Sequence, residues 1–288
     1  MANPATGTAV GPMVIVALDQ HETHPLVRDA LAARMLPAGA RPVAALARWA
    51  PVRRLVVGLS EKRIPGLWAG ILCRKRYIDE VVSQHAGAGA AAAVVLGAGL
   101  DTRAYRLPTL AAMPVYEVDL PATIDRKRAR LRAIYGSVPA HVTLVPTDFE
   151  AGALAGTLAA AGYRRDGTTV FVMEAVTQYL TAAAVQDTFD TLGEAPAGSR
   201  LLFTYVRSDF LDGRNRYGAD AAYQDFVVRR PLWKFGMDPV EVAGFLADNG
   251  WRLVEQVGAA EFAERYVLPS GRDLPVTEIE RVVHAEKV

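Results

Sequence analysis

Two glycines lie where a buried strand is predicted to end, and an acidic residue follows them at a spacing suited to a nucleoside. The apolar run Ala93–Leu96 leads directly into Gly97-Ala98-Gly99. Glycine tolerates a positive φ and lets a ligand approach the backbone closely. The next apolar run ends in Tyr116-Glu117-Val118-Asp119, and an acidic side chain about 20 residues after such a loop can accept hydrogen bonds from both ribose hydroxyls.

The third glycine of the dinucleotide pattern Gly-x-Gly-x-x-Gly is absent, because the loop continues as Leu100-Asp101-Thr102. A pyrophosphate would therefore find a poorer helix N-terminus to bind. A nucleoside without phosphate fits this loop better, and S-adenosylmethionine is such a nucleoside with an amino acid tail. The alternatives are an NAD(P)-dependent oxidoreductase on a Rossmann sheet and a cofactor-binding regulator without catalysis.

Further acidic residues follow the third and fourth predicted strands, at the edge of the sheet where such ligands bind. Asp148 is placed to bind the adenine amino group, and Phe149 to pack on the ring. Glu174 can hold the ammonium of the methionine tail or lie near the methyl group. The carboxylate of the tail calls for a cation, and the guanidinium of Arg74 or Arg76 can pair with it bidentately. Each residue alone also fits a helix cap or a surface salt bridge.

The elements that must position these residues alternate from residue 92 onward, which is typical of a parallel sheet covered by helices on both faces. The predicted strands are Ala93–Leu96, Val115–Val118, Val142–Val145, Thr169–Met173, Arg200–Tyr205 and Arg252–Val257. Apolar residues at helical spacing predict upstream helices over Pro25–Leu36, Arg41–Trp49 and Leu67–His85, after a disordered start at residues 1–12.

These elements predict a doubly wound, mostly parallel α/β fold. An N-terminal helical cover, residues 1–90, precedes a cofactor-binding core, residues 91–288. The stretch 207–239 is too long for an ordinary connection, so we predict a lid insertion there.

Composition and charge exclude several classes of function. A formal net charge of +1 over 288 residues argues against a nucleic-acid partner held by broad phosphate contacts. The single cysteine, Cys73, cannot form an internal disulfide, and no stretch suggests a signal peptide or a membrane span. The histidines of His21-Glu22-Thr23-His24 lack the i, i+4 spacing of a zinc-binding helix, so no metal is expected. We expect a cytoplasmic monomer or homodimer that contacts no membrane.

Five motifs together resemble the leucine carboxyl methyltransferase family, in particular its bacterial branch of tetracenomycin-type polyketide O-methyltransferases. The longest is Leu96-Gly97-Ala98-Gly99-Leu100-Asp101-Thr102-Arg103-Ala104-Tyr105-Arg106-Leu107. The others are Cys73-Arg74-Lys75-Arg76-Tyr77-Ile78-Asp79, Tyr116-Glu117-Val118-Asp119-Leu120-Pro121, Thr147-Asp148-Phe149 and Glu174-Ala175-Val176-Thr177-Gln178-Tyr179-Leu180. The resemblance covers about residues 20–257.

The resemblance implies a class I methyltransferase fold that binds S-adenosylmethionine and releases S-adenosylhomocysteine. No lysine near the N-terminus aligns with the one that contacts the cofactor in the eukaryotic protein-methylating branch, which argues against methylation of a protein C-terminus. The resemblance and the strand-end positions together predict the cofactor-binding residues. These are Arg74, Arg76, Gly97, Ala98, Gly99, Asp101, Glu117, Asp119, Leu120, Asp148, Phe149, Glu174 and Ala175.

The acceptor is less well defined by the sequence. Methyl transfer from a sulfonium is an in-line displacement, so a carboxylate acceptor, already ionised, needs no general base. No catalytic base is evident, which favours a small-molecule carboxylate over a hydroxyl, with a polyketide-like or other secondary metabolite as the acceptor class. Predicted acceptor contacts are Tyr179, Tyr205, Arg207, Tyr217, Tyr223 and Trp233, with Arg214 and Arg229 as further cations. Packing of the lid on the sheet explains the aromatic residues equally well.

Overall fold

The sheet positions the glycine loop at the centre of the molecule. The computed structural model describes residues 9–288. Its strands are β1 (Ala92–Leu96), β2 (Val115–Asp119), β3 (Val142–Pro146), β4 (Thr169–Met173), β5 (Arg200–Arg207), β6 (Gly236–Met237), β7 (Trp251–Val257) and β8 (Glu280–Lys287). They form one sheet in the order β3-β2-β1-β4-β5-β8-β7, and β6 pairs with β5. The pairs from β3 to β5 are parallel, whereas β8 is antiparallel to both β5 and β7. The predicted doubly wound, mostly parallel α/β fold is confirmed, and β8 is a strand that the prediction missed.

Helices precede the sheet and cover both of its faces. They are α1 (Val10–Asp19), α2 (Ala32–Met35), α3 (Arg41–Leu46), α4 (Ala50–Arg63), α5 (Leu67–Gly87), α6 (Arg103–Arg106), α7 (Pro121–Tyr135), α8 (Leu154–Ala160), α9 (Ala182–Gly193), α10 (Ser208–Leu211), α11 (Asp220–Tyr223), α12 (Val242–Asp248) and α13 (Ala259–Phe262). None of the helices within residues 9–288 is long and apolar enough to cross a bilayer. The division at residue 90 into a cover and a core stays a prediction.

The N-terminal region departs from the prediction in several places, and α4 was not among the predicted helices. Helix α1 occupies a stretch predicted to be partly disordered, and residues 1–8 of that prediction lie outside the described residues. The helix predicted over Pro25–Leu36 shortens to α2. Side-chain carboxylates accept hydrogen bonds from backbone amides in this stretch. Asp19 accepts one from Leu26 N–H at 2.7 Å, and Asp29 accepts one from Leu31 N–H at 3.0 Å. Amides bonded in this way do not pair with the carbonyl four residues earlier, so the helix starts late.

Side chains of the central strands alternate between two apolar layers. Ala93 and Val95 pack with helices α1 and α5, whereas Val94 and Leu96 pack with α9 and α12. Every residue of β1 is buried, as expected for a parallel strand with helices on both faces. The strand therefore ends in a fixed position, and the loop that follows it is held in place.

The connection between β5 and α12 packs as a third apolar cluster. Phe210, Ala219 and Ala222 are buried there with Ile64 at the end of α4. The rings of Phe226 and Trp233 stack with centroids 4.8 Å apart and planes 7° apart. The aromatic residues of this segment thus pack among themselves, and its movement as a lid stays a prediction.

Strand β8 buries a histidine. His284 is 8% exposed, and its ring centroid lies 5.5 Å from that of His85. Its Nε2 has no hydrogen-bond partner among the described residues. Burial, with smaller contributions from His85 and Arg200, lowers the pKa of His284 from 6.5 to about 4. The folded protein therefore holds this imidazole in its neutral form at neutral pH.

Stability is expected to fall as the pH drops from about 6.5 towards 4, because the unfolded chain protonates His284 first. The loss attributable to this group is about 2 kcal/mol by pH 4.5. Urea unfolding of the wild type and of His284→Gln at pH 7.5 and 4.5 measures it. The variant is expected to lose less stability over this interval, whereas His24→Gln, at an exposed position, keeps the wild-type dependence. Identical pH dependence in His284→Gln and the wild type would contradict the assignment.

Candidate active site

A cleft of about 520 Å³ opens at the carboxyl ends of β1, β2 and β4. This volume is in the range of small-molecule sites. The strand order reverses between β1 and β4, which is where ligands bind in open α/β sheets. The residues that line the cleft are Ala9, Pro12, Met13, Arg74, Lys75, Val95, Leu96, Gly97, Ala98, Gly99, Leu100, Asp101, Asp119, Leu120, Thr123, Asp148, Phe149, Glu150, Glu174, Ala175, Val176, Tyr179, Leu180, Pro231, Leu232 and Lys234.

The glycine loop forms the floor of the cleft. Gly97 and Gly99 have φ values of +66° and +39°, in the region that favours glycine. A Cβ atom on Gly97 would lie 2.2 Å from Cγ2 of Val176, in the loop after β4. The two loops therefore approach each other so closely that only glycine fits at this position.

Asp119 ties the end of β2 to this loop. Its carboxylate accepts hydrogen bonds from the N–H groups of Gly99 and Leu120, each at 2.7 Å. Burial raises the pKa of Asp119, and these two hydrogen bonds oppose that effect. A carboxylate has lone pairs for about four hydrogen bonds, so Asp119 can also accept bonds from ribose hydroxyls.

Glu117, the second acidic residue predicted at this strand, does not reach the cleft. It is fully buried, accepts a hydrogen bond from the Tyr105 hydroxyl, and pairs with Lys127 at 2.8 Å. Glu117 lies opposite Val95 within the sheet, whereas Asp119 lies at the end of the strand. The predicted cofactor contact of Glu117 is therefore wrong, because the residue lies too deep in the strand.

Beneath one end of the cleft lies a buried charged cluster of four cations and five carboxylates. Its members are Arg74, Lys75, Arg103, Arg106, Asp29, Asp79, Asp101, Glu174 and Glu280. Arg103 is fully buried and pairs with Asp79 at 2.7 Å, with Glu174 at 2.6 Å and with Asp101. It thereby joins α5 to the loops after β1 and β4.

The cations keep the two carboxylates of this cluster that line the cleft ionised. Burial alone would raise the pKa of Glu174, but Arg103, Lys75 and Arg74 hold it well below its usual range. The pKa of Asp101 falls to about 2, because Arg103 and Lys75 outweigh its burial. The cluster contains one more carboxylate than cations, so it suits a positively charged ligand group such as an ammonium.

The adenine and tail ends of the predicted site also lie in the cleft. Phe149 is buried against it, and Asp148 accepts a hydrogen bond from Glu150 N–H at 3.1 Å. Ala175 follows Glu174 with a φ of +56°, which is uncommon for a residue other than glycine, and donates its N–H to the hydroxyl of Thr204 at 2.8 Å. Strained backbone of this kind is often found at functional sites.

Of the two arginines proposed for the cofactor carboxylate, only Arg74 lines the cleft. Arg76 is two residues further on, about 200° around the helix. Its Nε donates to Glu80 at 2.9 Å, and its guanidinium lies 4.7 Å from the ring centroid of Tyr266. Its prediction as a cofactor-binding residue is therefore wrong, because it faces away from the cleft.

Most of the predicted acceptor contacts also lie elsewhere. Tyr179 lines the cleft, but Tyr205 is fully buried in β5, with its hydroxyl donating to Gln256 at 2.6 Å. Arg207 pairs with Asp209 and Glu278 at 3.0 and 3.1 Å.

The remaining candidates belong to the connection between β5 and α12. Tyr217 donates to Asp209, Tyr223 and Trp233 pack against Phe210, and the exposed Arg214 and Arg229 pair with neighbouring aspartates. These residues stabilise the connection and do not line the cleft. Packing of the segment, the alternative to acceptor binding, therefore describes its aromatic residues.

Sequence reasoning missed several cleft residues. Lys75 lies inside a quoted motif, between the two arginines that were considered. Pro12 and Met13 belong to α1, which begins within the stretch predicted to be disordered. From the lid segment, the cleft is lined by Pro231, Leu232 and Lys234. The proline in this group could have pointed to a turn, but no sequence signal showed that the turn faces inward.

The sequence profile of the leucine carboxyl methyltransferase family matches residues 9–193. This chain belongs to that family. A Mycobacterium sp. (strain KMS) protein, provisionally named an S-adenosyl-L-methionine-dependent methyltransferase, is 33% identical over 219 residues, which are 71% of this chain and 68% of the relative. A Frankia alni protein with the same provisional name is 29% identical over 275 residues, which are 92% of this chain and 90% of the relative.

Solved structures share the fold. A Thermobifida fusca protein, provisionally named a methyltransferase, has a TM-score of 0.59 at 16% identity and covers 99% of this chain and 97% of its own. A duf574 family protein from Streptomyces avermitilis has a TM-score of 0.57 at 15% identity, and the match covers 95% of this chain and 97% of that protein. The class I methyltransferase fold is thus confirmed.

The family assignment makes this enzyme an S-adenosylmethionine-dependent methyltransferase, and the predicted cofactor is confirmed. The described residues fit it. Gly97 lets the loop after β4 pack directly on the floor of the cleft, and Asp119 lines the cleft where it can reach ribose hydroxyls. Glu174 and Asp101 stay ionised and can hold an ammonium. The individual roles of these residues stay predictions.

Proposed function

We propose that this enzyme methylates a carboxylate oxygen of a small, largely apolar acid. The observation that supports this proposal is the set of side chains around the cleft. None of the histidines is among its described lining residues, and neither is the cysteine. Its carboxylates at Asp101 and Glu174 are paired with cations, which makes them weak bases. An acceptor that is already ionised at neutral pH requires no base from the protein.

The residues of the cleft bind, align and exclude water. Bound S-adenosylmethionine supplies an electrophilic methyl group on its sulfonium. The Gly97 loop and Asp119 hold the nucleoside, while Glu174 and Asp101 hold the ammonium of the tail. Fixing the donor in this way turns methyl transfer into a reaction between positioned groups, which accounts for much of the acceleration. Apolar side chains around the cleft strip water from the acceptor carboxylate and make it more nucleophilic.

The acceptor class is proposed from the apolar part of the cleft. Tyr179, Leu180, Pro231 and Leu232 line it together, and they suit an aromatic or aliphatic body better than a polar one. This character supports a polyketide-like or other secondary metabolite, as in the tetracenomycin-type branch. We further propose that the enzyme is a cytoplasmic monomer or homodimer that binds neither nucleic acid nor membranes.

Matched acceptors that differ only in the reacting group test the proposal. Each aromatic acid is compared with the corresponding phenol and carboxamide, and methylated products are identified by mass spectrometry. For the acid, kcat/KM is expected to stay within about twofold from pH 6 to 9, because a carboxylic acid of pKa near 4 is ionised throughout.

The contrasting result is activity on the phenol alone, with kcat/KM rising about tenfold per pH unit below the phenol pKa. That outcome would show that the methyl acceptor is a hydroxyl group and not a carboxylate. Base lability of the product separates a methyl ester from an aryl methyl ether and serves as the control on product identity.

A further inference from the structure

Lys75 presents an ammonium that the protein leaves without a hydrogen bond. Its side chain is about nine-tenths buried, with the whole residue 5% exposed, and it lines the cleft. Its Nζ lies 4.0 Å from Oδ2 of Asp101 and 3.8 Å from Oε2 of Glu174. Both distances are too long for hydrogen bonds, and no other described residue accepts one from this ammonium. An ammonium carries three donors, and those of Lys75 are available to a ligand in the cleft.

The neighbouring Arg74 is engaged by the protein itself. Its Nε donates to Glu174 at 3.0 Å, and its Nη1 donates to Glu280. The other oxygen of Glu280 accepts a hydrogen bond from the Thr204 hydroxyl at 2.6 Å. Arg74 therefore connects α5 to β4 and β8, with carboxylates already bound on two sides. Lys75 is better placed than Arg74 to accept a new anion.

The charges around Lys75 match the two ends of an amino acid. The carboxylates of Asp101 and Glu174 suit an ammonium, while Nζ of Lys75, within 4.0 Å of both, suits a carboxylate. In an α-amino acid the two charged groups are joined through one carbon atom, so a site for it must offer opposite charges this close together. This arrangement occurs where the cleft meets the charged cluster.

We propose that Lys75 is the carboxylate-binding residue for the methionine tail of the cofactor. The proposal depends on the S-adenosylmethionine site and not on the identity of the methyl acceptor. When the tail binds, its carboxylate accepts hydrogen bonds from Nζ, and its ammonium contacts Asp101 and Glu174 from the side of the cleft. Arg74 acts as a positioning residue that fixes Glu174.

Calorimetric titration with two ligands tests this proposal. S-adenosylhomocysteine carries the tail carboxylate, whereas its decarboxylated analogue has the same ammonium and nucleoside without it. The wild type is expected to bind S-adenosylhomocysteine about 10- to 100-fold more tightly than the analogue, the value of a charge-assisted contact. Lys75→Met is expected to lose most of this preference, because it lowers the affinity for S-adenosylhomocysteine and leaves the affinity for the analogue within about twofold of the wild-type value.

Arg76→Met is the matched control, because it removes a cation one residue away that faces out of the cleft. It should keep the wild-type preference. If Lys75→Met does not fold, the same comparison applies to Lys75→Gln. The proposal is overturned if the variant keeps the full preference for S-adenosylhomocysteine, or if it loses affinity for both ligands equally. Neither result depends on finding the acceptor, so the carboxylate-methylation proposal stands or fails separately.

Discussion

Replacing Gly97 by valine is expected to reduce the affinity for S-adenosylhomocysteine by about 100-fold or more. The positive φ of +66° at this position is unfavourable for a β-branched residue, and the new Cβ would lie 2.2 Å from Cγ2 of Val176. Either the glycine loop or the loop after β4 must move, and both line the cleft. Calorimetric titration measures the loss, and circular dichroism checks that the fold persists.

Gly156→Ala is the control for this experiment. A Cβ on Gly156 meets no atom within 4 Å, and the residue lies on α8, away from the cleft. Alanine also favours a helix more than glycine does, so stability should be unchanged or slightly higher. Affinity of Gly97→Val equal to that of the wild type would show that the glycine loop does not hold the cofactor.

Replacing Arg103 by glutamine is expected to lower the free energy of unfolding by about 3–5 kcal/mol. The guanidinium is fully buried and faces Asp79, Asp101 and Glu174. Without it, these carboxylates lose a main counter-charge at a site where they are largely buried and poorly hydrated. Urea unfolding at neutral pH measures the change.

Arg164→Gln is the matched control, because Arg164 forms a pair of similar length, 2.6 Å, with Asp166 at the surface. A pair this exposed contributes little to stability, so the free energy of unfolding of Arg164→Gln is expected to stay close to that of the wild type. The role of Arg103 as the centre of the charged cluster would be refuted by a similarly small loss in Arg103→Gln.

The sequence predicted the parts of the site that depend on local patterns. It did not predict the parts that depend on how far a residue lies from the end of its strand, or on packing against distant segments. Gly97 and Asp119 follow strands whose apolar pattern is local, so their positions at strand ends could be predicted. Glu117 precedes Asp119 by only two residues, yet the strand carries it into the core. A strand pattern indicates the face on which a side chain lies, but not how far the ligand cleft extends along the strand.

The lid and the last strand show the second limit. Trp233 and Tyr223 are aromatic residues of a long connection, and the sequence did not reveal that they pack on Phe210, away from the cleft. Strand β8 pairs with β5 and β7, and its mixed polar sequence becomes half-buried only through those partners. Helical geometry, in contrast, could have separated Arg74 from Arg76, since the two lie on nearly opposite faces of a helix.

The contact between Arg74 and Glu280 joins residues 206 positions apart. Glu280 begins β8, which enters the sheet between β5 and β7. A chain that is still being synthesised can form β1 to β5 first, but it lacks this carboxylate until residue 280 has emerged. Contacts between such distant positions are slow to form. Competence to bind the cofactor should therefore appear as a late step of folding, after the glycine loop has taken its shape.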